Sequence, residues 1–165
     1  MYRLRAISST LYNKEEVNKK GNLQRMKDVT IRVSIIHTQD GQIEHHQMET
    51  AAKAAEKESG WFFTYTEEME EGKKVPTIVK ITESMLSLLR QGHVNMKQEF
   101  EKGKQSESMY VTPYGRFRME IYTRKLQVIQ TAGRPEEARV FYQQWLDGQY
   151  LGDYELHFLF QWMEA

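Results

Sequence analysis

The chain has 165 residues and a mass of 19.6 kDa, with 23 basic and 23 acidic side chains and no cysteine. Its length is that of one domain able to bury a core unaided, and the missing thiols exclude a disulfide framework or a thiolate metal centre and point to a reducing compartment, the cytoplasm. The longest apolar runs, Trp61 to Phe63 and Leu156 to Phe160, fall far short of the roughly 20 residues of a membrane-spanning helix.

Residues 1–27 form a basic arm, seven Lys or Arg against two acids, ahead of a body with 16 against 21. Polar ends of this kind are expected to fray or to form a short surface helix. Leu4, Ile7 and Leu11 are separated by polar residues, unlike the continuous apolar stretch of a secretory signal.

From Asp28 the apolar period becomes two, with glycine-centred turns between segments. Strands are predicted over 28–39, 42–52, 61–68, 75–82, 84–91, 93–100, 107–112, 115–123, 125–131, 137–146 and 150–163. Asp40-Gly41 supplies the two positive φ angles of a type I′ hairpin. In Thr112-Pro113-Tyr114-Gly115, Pro113 presets φ at the second position and Gly115 takes the fourth, as in a type I turn. The segment Glu49 to Ser59 holds good helix formers and ends at Gly60, which predicts one short helix.

About ten short antiparallel strands must each bury one face, and an up-and-down barrel does this while removing exposed edges. The predicted inward set is Ile31, Val33 and Ile35; Leu86 and Leu88; Phe117, Met119 and Ile121; Leu126 and Val128; and Leu156, Phe158, Phe160 and Trp162. Their alternating partners, such as Arg116, Arg118 and Glu120, are polar, as a solvated outer wall requires.

The series Leu88 to Gly92, then Tyr110-Val111-Thr112-Pro113-Tyr114-Gly115, then Ile121-Tyr122-Thr123 and Leu126 resembles the YwiB-like family of small bacterial proteins. The resemblance spans about Lys27 to Met163 and omits the basic arm. It implies a calycin-like barrel, related in shape to the lipocalins, and it implies no reaction. The segment Glu49 to Ser59 is longer than the family leads one to expect, so strand register near residue 50 stays open.

A barrel of eight to ten strands is either filled by side chains or leaves room for one small ligand. Seven Phe, nine Tyr, three Trp and nine Met suit either outcome. For an apolar or amphipathic ligand, the expected contacts are Arg90, Tyr65, Tyr110, Phe117, Met119, Phe158 and Trp162. Arg90, just before the turn at Gly92, shares parity with Leu86 and Leu88. It either pairs with an internal acid, Glu67 or Glu44, or anchors an acidic head group.

With Asp40-Gly41 as the turn, His37 faces Glu44, and His46 follows two residues later on the same face, a weak candidate metal set; His45 points the other way. No cofactor is implied. The acidic run Glu67 to Glu71 reads as a solvated hairpin tip. No G-x-S-x-G elbow or phosphate loop occurs, which lowers the expectation of an enzyme. Outward Arg116, Arg118, Tyr122, Arg124 and Lys125 form a small stripe that could meet single-stranded nucleic acid, against a negatively charged body. A filled barrel would instead suit a partner protein or a second copy docking on the outer wall.

Overall fold

Three hairpins turn on two residues that both have positive φ: Asp40-Gly41 (51° and 76°), Ala132-Gly133 (52° and 77°) and Asp147-Gly148 (49° and 79°). This is the type I′ geometry whose twist matches the strands it joins. At Thr112, the Oγ1 accepts a hydrogen bond from the Tyr114 N–H at 3.1 Å, and Thr112 pairs with Gly115 across the turn. Such turns force an antiparallel meander.

The structure, a computed structural model, describes residues 5–7, 16–17, 23–24 and 26–163. Its strands are β1 (Arg5–Ile7), β2 (Glu16–Val17), β3 (Leu23–Gln24), β4 (Lys27–Gln39), β5 (Gln42–Lys57), β6 (Gly60–Glu68), β7 (Lys74–Ile81), β8 (Met85–Arg90), β9 (Met96–Glu101), β10 (Gln105–Thr112), β11 (Gly115–Thr131), β12 (Arg134–Leu146) and β13 (Gln149–Trp162). Strands β4–β13 pair in the order β10-β11-β12-β13-β4-β5-β6-β7-β8-β9, a nearly closed antiparallel barrel of ten strands. No α-helix occurs among the described residues, only a 3-10 turn at Glu70–Gly72, and no helix is long and apolar enough to cross a membrane.

The closing seam lies between β9 and β10. A single backbone bridge joins Asn95 and Val111, with two N–H to carbonyl bonds of 2.9 Å. Farther along, Ser106 Oγ donates to the Glu99 carbonyl at 3.0 Å and Ser108 Oγ to the Lys97 carbonyl at 2.6 Å. Side-chain hydroxyls thus stand in for part of the missing ladder.

Two expectations are corrected. The helix predicted over Glu49 to Ser59 is strand: β5 pairs with β4 from Gln42 to Ala54 and with β6 from Lys53 to Lys57. An isolated helix of that length is marginal in water, whereas the strand satisfies the backbone and buries Met48, Thr50, Ala52 and Ala54. Ala54 lies directly opposite Phe63; its small side chain leaves space for the ring. The two strands predicted over 115–123 and 125–131 are one, β11, with an extra residue at Arg124: Thr123 pairs with Tyr142 and Lys125 with Phe141. That bulge switches the inward parity from Met119 and Ile121 to Leu126 and Val128.

Of the basic arm, β1 pairs with β6, Arg5 opposite Glu68 and Ile7 opposite Thr66, and β2 pairs with β3. The remaining expectation for residues 1–25, a frayed end or a surface helix, falls outside the described residues.

One end of the barrel is plugged by rings. Phe63 stacks on Phe160 with centroids 4.3 Å apart, and Trp61 meets Trp162 edge-on at 5.0 Å. Their indole N–H groups are satisfied by the Gly133 carbonyl at 2.9 Å and the Pro135 carbonyl at 2.8 Å. Each fully buried Phe contributes about 1.5–3 kcal/mol, so this plug is a large share of the core.

Candidate functional site

The other half of the barrel is hollow. A cavity of about 620 Å³ has an apolar wall that includes Val33, Ile35, Leu88, Met96, Met119 and Leu156. Three consecutive residues of β5, His45, His46 and Gln47, also reach it. The pairing of β5 with β6 ends at Lys53 and Thr64; farther along, β1 pairs with β6 and lies against β5.

At the inner wall, Glu67 on β6 is 1 % exposed and is gripped by Arg90 on β8, whose side chain is 12 % exposed. Arg90 Nε donates to Oε2 at 2.8 Å and Nη2 to Oε1 at 3.2 Å, a bidentate pair. Burial alone would disfavour the guanidinium charge, and the Glu67 carboxylate more than offsets this, raising the Arg90 pKa. Among the described residues the remaining Nη1 meets the Met96 sulfur, at 3.9 Å, a weak acceptor.

Tyr65 lies beside this pair and is 1 % exposed. Burial first, then the Glu67 carboxylate, pushes its phenol well above the ordinary value, with Arg90 pulling the other way. Three buried side-chain oxygens lack a hydrogen-bond partner among the described residues, on Thr64, Tyr65 and Thr123. Of the three residues, Tyr65 alone lines the cavity.

A stacked column forms another wall. His37, Tyr154 and Tyr142 occupy directly opposed positions on β4, β13 and β12. The His37 and Tyr154 rings are 4.3 Å apart at 8°, and Tyr154 and Tyr142 are 5.0 Å apart at 7°. Burial, with Glu44 and Tyr150 adding, pushes the Tyr154 pKa up to about 12, and burial raises that of Tyr142 further. His37 Nε2 donates to the Leu151 carbonyl at 2.6 Å. Gly152 permits this approach: at φ 135°, its Cβ would lie 2.5 Å from the Thr38 carbonyl oxygen and 2.6 Å from His37 Nε2. Gln98 Nε2 donates to Gln144 Oε1 at 3.3 Å, joining β9 to β12.

Among the residues singled out from sequence, Tyr65, Arg90, Tyr110 and Met119 line this cavity. Phe117 is inward and packs on Tyr110, centroids 6.4 Å apart, outside the lining. Phe158 is core, and Trp162 sits in the plug. His37 and Glu44 are opposed as the turn predicts, but Glu44 lies 3.6 Å from His46 while His37 bonds Leu151. No group of three potential ligands assembles among the described residues. Arg116, Arg118, Tyr122 and Arg124 are outward and exposed; Arg118 pairs with Glu120 at 2.9 Å and Lys125 covers the Phe141 ring. Tyr142, Tyr154, Gln98 and Gln144 were not anticipated, although Tyr142 and Tyr154 alternate in step with Val140 and Leu156, which carry the inward face of their strands.

The model of the family described as Domain of unknown function (DUF1934) matches residues 29–158. The chain belongs to that family. It is similar to the uncharacterized beta-barrel protein YwiB of Bacillus subtilis strain 168, 29 % identical over 99 residues that span 60 % of this chain and 69 % of the relative. The crystal structure of the ywiB protein from Bacillus subtilis superposes with a TM-score of 0.68 at 23 % identity, covering 86 % of this chain and 98 % of that one. The resemblance read from Leu88 to Leu126 therefore holds. At that identity the superposition carries the fold alone, and the cavity must be interpreted from its own walls.

Proposed function

We propose that this protein binds a small amphipathic molecule inside its barrel, without catalysing a reaction on it. The observation that carries the proposal is the half-filled interior: a ring plug at one end and, at the other, a cavity of about 620 Å³ with a buried tyrosine hydroxyl left unbonded. Ligand sites typically measure about 300–1,000 Å³ and combine apolar walls with a few placed polar groups. Barrels of this strand number can hold one small ligand. The inward apolar and outward charged alternation is the reverse of a membrane barrel, which supports action in water; the absence of cysteine fits the cytoplasm.

A docking role for the outer wall has weaker support. Its large exposed apolar side chains, including Ile43, Tyr114 and Met163, are spread over separate hairpin tips and the end of β13. Arg118, paired with Glu120, and Lys125, seated over the Phe141 ring, weaken the nucleic-acid reading.

The test is titration with Nile red, a neutral dye that brightens in apolar sites. One dye per chain is expected, with binding lost in Met48→Trp, which enlarges a buried side chain of the cavity wall, provided that variant keeps the wild-type circular dichroism. Undiminished binding to a folded Met48→Trp protein, or no stoichiometric binding to the wild type, would overturn the proposal.

A further inference from the structure

We infer that the occupant of the cavity is uncharged and presents a carbonyl-type oxygen acceptor to Tyr65 and Arg90. The inference rests on the cavity being a binding site and adds the chemistry of what it takes.

Charge is the first constraint. Of the two roles the sequence allows Arg90, pairing with an internal acid or anchoring an acidic head group, the structure shows the first: both oxygens of the Glu67 carboxylate occupy its Nε and Nη2. The pair is closed and neutral as a unit. An anionic head group placed against Arg90 would also sit beside Glu67, in a site where repulsion is poorly screened. A cationic group would meet Arg90 itself. Either ion would lose its hydration without a matched partner.

Hydrogen-bond polarity is the second constraint. The inner wall has two underused donors. Tyr65 Oη is enclosed beside the Glu67 carboxylate and has no hydrogen-bond partner among the described residues, and among those residues Arg90 Nη1 meets only the thioether of Met96, at 3.9 Å. A buried donor left unmade costs about 1–3 kcal/mol, so a ligand oxygen that accepts from either removes a penalty already present in the empty protein. The surrounding wall of Val33, Leu88, Met119 and Leu156 suits an apolar body. A ketone, ester, amide or quinone oxygen on a hydrocarbon or aromatic frame meets both conditions; a fatty acid or a phosphate does not.

Four probes built on one ring test this by competition with Nile red: acetonaphthone, a neutral ketone; ethylnaphthalene, its hydrocarbon counterpart; naphthoate; and naphthylmethylammonium. In the wild type the ketone should bind about threefold to tenfold more tightly than ethylnaphthalene, the value of one net hydrogen bond, and both ions more weakly than the ketone. Tyr65→Phe should abolish the ketone's advantage and leave ethylnaphthalene affinity unchanged. Naphthoate binding as tightly as the ketone, or a ketone advantage that survives Tyr65→Phe intact, would overturn the inference while the cavity remained a site. Failure of all four probes, with Nile red itself not binding, would remove the binding proposal and this inference with it.

Discussion

Arg90→Met should destabilise the fold much more than the double variant Glu67→Gln/Arg90→Met. Glu67 is 1 % exposed and both its oxygens are held by Arg90. Removing the cation alone strands a carboxylate in the wall of the cavity, and breaking a buried pair in this way costs about 3–5 kcal/mol. For a domain of this size each kcal/mol lowers Tm by about 2–4 °C, so a loss of about 10 °C is expected. The double variant contains neither ion and should lie within about 1–2 kcal/mol of the wild type, because replacing a whole buried pair by neutral groups of similar volume is often tolerated. Urea unfolding followed by tryptophan fluorescence, with the single Glu67→Gln variant completing the cycle, measures the coupling. A loss below about 1 kcal/mol in Arg90→Met, or a double variant as unstable as the sum of the singles, would show that the pair is solvated and that the account of its closed charge is mistaken.

Tyr65→Phe should leave stability unchanged or raise it by up to about 1 kcal/mol, since the hydroxyl it removes has no hydrogen-bond partner among the described residues; a loss above about 1 kcal/mol in thermal unfolding would show that the hydroxyl is bonded in the fold. Gly152→Ala should lower Tm by several degrees, because its Cβ would sit 2.5 Å from the Thr38 carbonyl oxygen, and His37 should lose its bond to Leu151, visible as a shifted imidazole resonance. Phe63→Ala, which removes a fully buried ring from the plug, should cost about 3–5 kcal/mol in urea unfolding. In alkali, the unfolded chain releases the Tyr154 proton near the ordinary value of 10.0 while the fold retains it to about 12. Stability from this group is therefore complete below pH 10 and lost as pH rises through that window; phenolate absorbance that Tyr154→Phe removes should develop only toward pH 12, and its loss from the part of the curve near pH 10 would refute the assignment.

The barrel was legible wherever apolar residues alternate with polar ones, as in Ile31, Val33 and Ile35, and wherever turn chemistry sets register, as at Asp40-Gly41. It was not legible in the second half of β5, from Glu49 onward, because alanine carries a helical bias and the strand role of Ala54 depends on Phe63 across the ladder. The bulge at Arg124 looked like a strand break, since a parity switch reads the same either way. Tyr65, Arg90, Tyr110 and Met119 could be assigned to the interior by parity, but parity does not say which end of the barrel a residue reaches. That is why Phe158, in the core, and Trp162, in the plug, looked equivalent to them. The column of His37, Tyr154 and Tyr142 needs register across three strands, and the extra residue Leu151 in β13, between the pairs Gln144–Gly152 and Trp145–Tyr150, shifts it.

The seam between β9 and β10 separates covalent order from hydrogen-bond order. Consecutive strands, linked through the turn at Gly103, share one bridge, while the first and last strands of the barrel are joined by ten register pairs from Thr38–Asp153 to Val29–Trp162, and the Met163 N–H reaches the Asp28 carbonyl at 3.2 Å. A circular permutant cut at Gly103 and spliced between residues 163 and 26 would keep every main-chain ladder that the barrel possesses. The staves are bound most firmly where the chain is not continuous, and the cask is most easily pried apart beside a peptide link.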